Sequence, residues 1–357
     1  LSKPSIADPI SRAWVSVDLG AMIENARTVA RISGVPLLPM VKANGYGLGA
    51  AAVARALESI NPWGYGVVTP GEGAELRRAG IQRPIVVFSP LLPAQIPAHR
   101  EHRLRPVIGD LEGLRAWLAA GTEPFHLEVD TGMSRTGFRW TAATTWRDLA
   151  QAAPGWEGIF THFAAADSDQ ASAHRQWRRF QAVLEGLSVR PPLVHAANSA
   201  AALLGKTYAC DLVRPGIFLY GGNVAGYQAG VVARFEAQVV AQREVRAGDS
   251  VSYGGTWTAR RDAVIATVSA GYADGVLRSL SNQGAVEIAG RVVPIVGRVT
   301  MDFFMVALER PCEAGAAATI FGGLISVDEQ ARRGGTIPYE LLTGLGNRVE
   351  RRHSGVE

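Results

Sequence analysis

The stretch Pro36-Leu37-Leu38-Pro39-Met40-Val41-Lys42-Ala43-Asn44-Gly45-Tyr46-Gly47-Leu48-Gly49 sets an apolar run against a glycine-rich turn, with a lysine at the junction. An apolar run of this length bounded by turn residues reads as a buried strand, so Lys42 falls where a strand stops and a loop begins. Lysine is scarce here: Lys3, Lys42 and Lys206 are the only three, and the other 33 of the 36 basic residues are arginine. A guanidinium keeps its proton at any usable pH, whereas a partly desolvated ammonium can become a free amine, the nucleophile of Schiff-base chemistry. From the run alone, a lysine whose head group snorkels out of a strand end accounts for the residue equally well.

Outward from this stretch, apolar runs recur near Leu37, Trp63, Ile85, Leu104, Phe125, Gly158, Leu193 and Leu212. Helix-like spacings lie between them, as at Met22, Ala26, Val29 and Ala30, at Val53, Ala54 and Leu57, at Leu111, Leu114 and Leu118, and at Trp177, Phe180, Leu184 and Leu187. Asp18 and Asp110 stand at N-cap positions, and Gly34, Gly80 and Gly121 at helix ends. Eight strand–helix alternations over residues 18–230 predict an α/β fold of the closed (β/α)8, TIM-type barrel kind. An open doubly wound sheet is the alternative, but the Gly-x-Gly-x-x-Gly turn expected after its first strand is absent. After Gly230 the pattern changes to strand-like segments punctuated by glycine turns, at 231–245, 263–269, 286–288 and 291–306, with helices only at 327–333 and 338–345. This predicts a mainly β domain over 231–357. A strand at 14–17 within an N-terminal segment 1–17 is expected to join it.

The chain has 357 residues, ample for two domains with buried cores, and its 47% apolar and 19% charged residues describe an ordinary globular protein. The net charge is only +4. The densest arginine clusters (Arg175, Arg178, Arg179; Arg348, Arg351, Arg352) lack interleaved aromatics, which argues against nucleic acid and reads as solvated helix faces or a tail. Cys210 and Cys312 have no metal-type spacing and favour a reducing compartment. No apolar stretch reaches the roughly 18 residues of a membrane span, and the N-terminus lacks a signal peptide's apolar core. A cytoplasmic protein without metal, membrane or nucleic-acid partners is expected.

In such barrels, chemistry gathers at the C-terminal ends of strands. Besides Lys42, loops there carry Arg135 (in Asp130-Thr131-Gly132-Met133-Ser134-Arg135), His162 (in Thr161-His162-Phe163), Asn198 and Ser199 (in His195-Ala196-Ala197-Asn198-Ser199) and Arg214 (in Arg214-Pro215-Gly216-Ile217). Each alone is weak; a histidine after a strand is more often structural, and Ser199 also suits a helix N-cap. Backbone N–H groups at Gly216 and Ile217, with the Ser199 hydroxyl, make a phosphate site in the last two loops, where these barrels usually hold one. A lysine amine opposite a phosphate site points to pyridoxal 5′-phosphate.

With these motifs in hand the chain resembles the alanine racemase family. The resemblance runs through Met-Val-Lys-Ala-Asn-Gly-Tyr-Gly, Thr161-His162-Phe163, Arg214-Pro215-Gly216-Ile217, Val251-Ser252-Tyr253-Gly254, Gly271-Tyr272-Ala273-Asp274-Gly275 and Gly297-Arg298-Val299-Thr300-Met301-Asp302. It implies a head-to-tail homodimer in which Lys42 carries the cofactor and Tyr253, reaching the partner's site, is the second acid/base. It further implies that Arg214 meets the pyridine nitrogen, while Tyr46, Ser199, Gly216 and Ile217, with His162 and Asn198 nearby, hold the cofactor. Arg135 and the Met301 backbone would meet the substrate carboxylate, Asp302 would be a further substrate-binding residue, and Tyr272 would line the entrance. Two departures stand out. Glu128 replaces a lysine that carries a carbamate in some members, and is expected to pair directly with Arg135. Asn347 replaces a tyrosine that narrows the gate, which predicts tolerance of side chains larger than methyl. The usual Arg-Val-Pro-Arg tail reads Arg348-Val349-Glu350-Arg351. A racemase of broad specificity, a barrel-type decarboxylase and a non-catalytic cofactor-binding barrel are the competing readings; Arg214, Tyr253 and the β domain favour a racemase, and alanine is the substrate that the resemblance implies.

Overall fold

The opening run forms the first stave of a closed parallel barrel in this computed structural model, which describes residues 11–356; the first ten residues of the expected N-terminal segment lie outside the described residues. Leu37 bridges Val213 and Met40 bridges Gly66, both in parallel. From there Tyr65–Val67, Ile85–Pro90, Arg105–Ile108, Phe125–Asp130, Trp156–Phe160 and Leu193–His195 pair in sequence, every ladder parallel. The ring closes where Arg214 bridges Asn198 and Val213 returns to Leu37. The eight expected runs are thus eight staves, two of them held by isolated bridges rather than long ladders. Pro36, Pro39 and Pro215 explain this, because a proline has no N–H to give a ladder; their carbonyls still accept from Val213, Gly66 and Met40.

Leu38, Val86, Val107, Phe160 and Leu212, from five staves, pack as a cluster of their own inside the ring. The opposite strand faces pack on helices, where Met22, Val29, Val53, Leu114, Trp117 and Phe180 are fully buried or nearly so. The Leu19–Ser33 helix starts at Asp18, whose Oδ1 accepts from Ala21 N at 2.9 Å, and ends at left-handed Gly34. Asp110 caps Leu111–Ala120 in the same way.

Residues beyond the barrel form a second, antiparallel barrel. Its strands run Ala263–Val268, Phe304–Leu308, Arg291–Val296, Ala285–Ile288, Ala317–Phe321 and Ala233–Val245, and the last pairs back with the first. Ala13–Asp18 adds to Ala233–Val245 antiparallel and to Glu350–Ser354 in parallel. The strands Ala317–Phe321 and Glu350–Ser354 were not expected from sequence.

Arg175 and Arg178 are exposed, as expected of a solvated helix face, but Arg179 and the Arg348–Arg352 cluster are tied into the fold, contrary to expectation. Arg351 donates to the carbonyls of Gly47, Leu345, Gly346 and Val349, and Arg352 lies over the Trp14 ring at 4.7 Å. Arg348 clamps buried Asp274 and also Asp302, and Arg179 reaches Thr131 C=O at 2.8 Å. The planar fork of a guanidinium satisfies several carbonyls at once, so these side chains tie loops together.

Candidate active site

Directly after Lys42 the backbone turns left-handed: Ala43, Asn44, Gly45 and Tyr46 have φ of 52°, 54°, 62° and 53°. At about 1–2 kcal/mol for each non-glycine residue, this costs roughly 3–6 kcal/mol that contacts must offset. Glu72 Oε1 accepts from Ala43 N at 2.7 Å, and Asn44 Oδ1 accepts from Ala50 N at 3.0 Å. Tyr46 stacks on Tyr220 with centroids 4.3 Å apart, and the Tyr220 hydroxyl donates to Met40 C=O. From the far end of the chain, Arg351 Nε donates to Gly47 C=O at 3.0 Å, and His353 Nε2 lies 2.7 Å from Leu48 C=O. The turn aims Lys42 and Tyr46 into the mouth of the barrel.

The Lys42 amine is shifted down, by burial first and by the nearby Arg135 charge second, with Glu72 opposing. Both effects favour the neutral, nucleophilic form. His162 is held down to about 3, by burial first and then by the charges of Arg214, Arg135 and Lys42. Arg214, 3% exposed, is the most heavily tied. Its NH1 meets His195 Nδ1 at 2.7 Å, and its NH2 reaches Thr161 C=O at 2.8 Å, Ala196 C=O at 3.0 Å and His162 Nδ1 at 3.4 Å. Its guanidinium lies over the Phe160 ring at 5.0 Å. Of its three nitrogens, only Nε has no hydrogen-bond partner among the described residues.

The corner formed by Tyr46, Ser199 and Gly216 is equally defined. Ser199 Oγ accepts from Gly216 N at 2.8 Å. A Cβ added at Gly216 would fall 2.3 Å from Tyr46 Oη, so the glycine is what lets the tyrosine hydroxyl reach this corner. Ile217 opens a 3-10 turn, so its N–H has no acceptor within the turn. The helix cap is Asn198, whose Oδ1 accepts from Ala201 N at 3.1 Å, and Ser199 is thereby free of the capping role the sequence also allowed. A buried amine shifted toward its neutral form, an unpartnered Arg214 Nε and a corner lined by the Tyr46 and Ser199 hydroxyls with the Ile217 N–H are what pyridoxal 5′-phosphate requires, and the group fits.

Glu128 is not a surface residue; it is 4% exposed. The expected direct pair with Arg135 is not formed. Thr136 Oγ1 donates to Glu128 Oε2 at 2.8 Å, and Arg135 and Arg214 act on the carboxylate from beyond ion-pair distance. Burial, the largest influence, raises the Glu128 carboxyl, so its charge is less secure than expected. Asn347 is exposed in the turn beside Arg348. Tyr253, Met301 and Tyr272 are 73%, 53% and 46% exposed on the second domain, and Asp302 is held by Arg348 at 2.8 Å; none of the four hydrogen-bonds to the Lys42 loop.

Several site residues had no sequence signal of their own. Thr69 and Glu72 form a capping box, and Glu72 also braces Ala43. Tyr220 and Tyr339 flank Tyr46, at 4.3 and 5.9 Å between centroids, from residues far along the chain.

Comparison with known proteins agrees with this architecture. Residues 17–224 match the family profile "Alanine racemase, N-terminal domain" and residues 232–353 match "Alanine racemase, C-terminal domain". The alanine racemase of Dinoroseobacter shibae is 38% identical, over 97% of this chain and 99% of that protein. The crystal structure of the alanine racemase from E. faecalis superposes with a TM-score of 0.90 at 32% identity, covering 98% of this chain and 100% of that one. That of Bartonella henselae, with covalently bound pyridoxal phosphate, gives a TM-score of 0.90 at 30% identity over 96% and 100%. By both its domains and over nearly its whole length, the chain belongs to the alanine racemase family.

Proposed function

We propose that this protein is a pyridoxal 5′-phosphate-dependent isomerase that interconverts L- and D-alanine as a head-to-tail homodimer. The observation that carries the reading is the buried Arg214 guanidinium, 3.4 Å from His162 Nδ1, beside the corner formed by Tyr46, Ser199 and Gly216. When bound, pyridoxal 5′-phosphate supplies the electron sink that lets an amino acid's Cα–H leave as a proton. Lys42 would hold it covalently, Tyr46, Ser199, Gly216 and Ile217 its phosphate, and Arg214 Nε–H its ring nitrogen.

Burial brings Arg214 down to about 10, still far above neutrality, so it stays charged and cannot give up its proton to the ring. An unprotonated ring nitrogen is a weaker sink, which restrains side reactions, whereas a carboxylate in this place would favour decarboxylation. Inverting Cα needs one group to take a proton from one face and another to return one to the opposite face. Lys42 serves one face. Tyr253 of the partner subunit serves the other, drawing on the positive potential of Arg214 relayed by His162. The exposure of Tyr253, Tyr272, Met301 and Phe303 supports this sharing, since a dimer would cover such a face. Arg135 and the Met301 backbone orient the substrate carboxylate, with Glu128 behind Arg135. Both cysteines are free, which fits a cytoplasmic enzyme supplying D-alanine to peptidoglycan.

The test is to incubate the cofactor-loaded protein with L-alanine, following product chirality and carbon dioxide together. The expected result is equal L- and D-alanine at equilibrium, as two enantiomers of equal free energy require, without carbon dioxide. Carbon dioxide release would make it a decarboxylase, and unchanged L-alanine a binding protein.

A further inference from the structure

Behind Arg214 a hydrogen-bonded chain of side chains crosses the barrel interior. Arg214 NH1 lies 2.7 Å from His195 Nδ1, His195 Nε2 lies 2.8 Å from His126 Nδ1, and His126 Nε2 lies 3.2 Å from Glu157 Oε2. Glu157 also takes Arg105 Nε at 3.1 Å. Both imidazoles are fully buried. Glu157 and Arg105 stand in the first two residues of their strands, at the N-terminal mouth of the barrel and opposite the active site.

The sequence builds this reach deliberately. The Trp156–Phe160 strand lies between the strands that carry His126 and His195. The residue paired with His126 on that strand is Gly158, where an added Cβ would lie 2.4 Å from His126 Nδ1. Without a side chain there, the His126 ring passes over the intervening strand and meets His195. Phe160 then stacks flat on the His195 ring, with centroids 4.8 Å apart and planes 13° apart, and fixes its orientation.

The two ends of the chain leave one assignment for every proton. A guanidinium only donates, so His195 Nδ1 must be bare and its proton must sit on Nε2. That proton points at His126 Nδ1, which must also be bare, leaving the His126 proton on Nε2 and aimed at a carboxylate that only accepts. A second proton on either ring would set two donors face to face. Burial holds both imidazoles below their ordinary range, in keeping with neutral rings. Burial raises the Glu157 carboxyl, but the hydrogen bond from His126 and the Arg105 guanidinium outweigh it and keep it below the usual range.

We propose that Glu157 is a positioning residue for the active site: it fixes the tautomers of His126 and His195, so that His195 offers a bare Nδ1 to Arg214 and holds the guanidinium with Nε toward the cofactor ring. The carboxylate acts as the acceptor that terminates the chain, and its effect reaches Arg214 through two imidazoles and no other contact. With that acceptor removed, the His126 proton can move to Nδ1, the His195 proton to its own Nδ1, and Arg214 NH1 then faces a donor. This rests on the reading of Arg214 as the cofactor's ring-nitrogen partner.

Two substitutions separate acceptor from charge. In Glu157→Gln the amide oxygen, held by Arg105, still accepts from His126, whereas Glu157→Met keeps the shape and loses the acceptor. The readout is the protonation of the imidazole nitrogens by 15N NMR on histidine-labelled, cofactor-loaded protein, together with the cofactor's absorbance spectrum and the split of kcat from KM. The wild type is expected to show His195 and His126 protonated on Nε2 alone, and Glu157→Gln to keep that pattern and most of kcat. Glu157→Met is expected to shift the tautomers, alter the cofactor spectrum and lower kcat about tenfold or more with KM for alanine little changed, as loss of one hydrogen bond to a charged group would do. A proton on His195 Nδ1 in the wild type overturns the proposal even if the methionine variant does not fold. So does an unchanged tautomer pattern in Glu157→Met, or equal losses in Gln and Met. A wild type that leaves L-alanine untouched would instead sink the functional reading, while the tautomers could still be read.

Discussion

Gly216→Ala probes the phosphate corner more sharply than any deletion there. Its Cβ would lie 2.3 Å from Tyr46 Oη and 3.1 Å from Tyr46 Cζ, roughly an ångström inside ordinary contact. Tyr46 has little room to give, being 5% exposed, stacked on Tyr220 at 16° between planes and seated at the end of the left-handed turn. Its hydroxyl must leave the corner. One hydrogen bond to a charged phosphate contributes about 1.5–3 kcal/mol, so cofactor affinity should fall roughly 10- to 150-fold. The overpacking itself should cost about 1–3 kcal/mol of stability. Titrating apoprotein with pyridoxal 5′-phosphate by absorbance measures the first, and thermal unfolding the second. In a Tyr46→Phe background the hydroxyl is already gone, so adding Gly216→Ala should weaken affinity much less than it does alone. Affinity of the single variant within about twofold of wild type, or strictly additive penalties, would refute the role given to Tyr46.

Other consequences follow from the same geometry. His162 is buried neutral, with its pKa lowered to about 3. The folded state therefore binds fewer protons than the unfolded chain between about 3 and the ordinary ~6.5, and stability should rise with pH across that window. His162→Asn should flatten the acid limb, seen as a smaller difference in urea midpoint between pH 5.0 and 7.5 (conditions of roughly full and partial linkage); an unchanged difference would count against it. Glu128→Gln keeps the Thr136 contact and removes the charge behind Arg135, so KM for alanine should rise by about 3- to 10-fold with kcat nearly constant; unchanged kinetics would deny Glu128 any part. Asn347→Tyr should leave alanine turnover intact and suppress racemisation of serine, lysine and arginine in competition assays, if Asn347 lines the entrance. Strict alanine preference in the wild type would remove that role.

Much of the barrel is legible in the sequence because each stave is a local apolar run, and the eight run centres from Leu37 to Leu212 are the eight staves. Asp18 and Asp110 declare their helices for an equally local reason, since a cap bonds within three residues. What escapes the sequence is what long-range contacts impose. Ala43 and Tyr46 have no intrinsic preference for left-handed backbone; Arg351 and His353, some 300 residues on, help to hold the turn there. The Arg348–Arg351 cluster looks like a tail until its loop partners are in place. Glu128 alternates along its strand like any polar residue, and nothing local says that its side faces inward with Thr136 rather than Arg135 as partner. His126, Glu157 and His195 lie on three strands, and Gly158 between them reads only as a weak strand position.

The central claim is that a complete site takes Lys42 from one chain and Tyr253 from another. Lys42→Ala and Tyr253→Phe proteins should each be nearly inactive as pure dimers. Unfolded together in equal amounts, refolded and loaded with cofactor, they should form hybrid dimers in which one site carries both substitutions and the other carries neither. Random pairing then restores about a quarter of the wild-type sites, and L-alanine racemisation should return to that level. A mixture that stays as inactive as its parents, although hybrid dimers are present, would contradict the shared site and with it the two-base account.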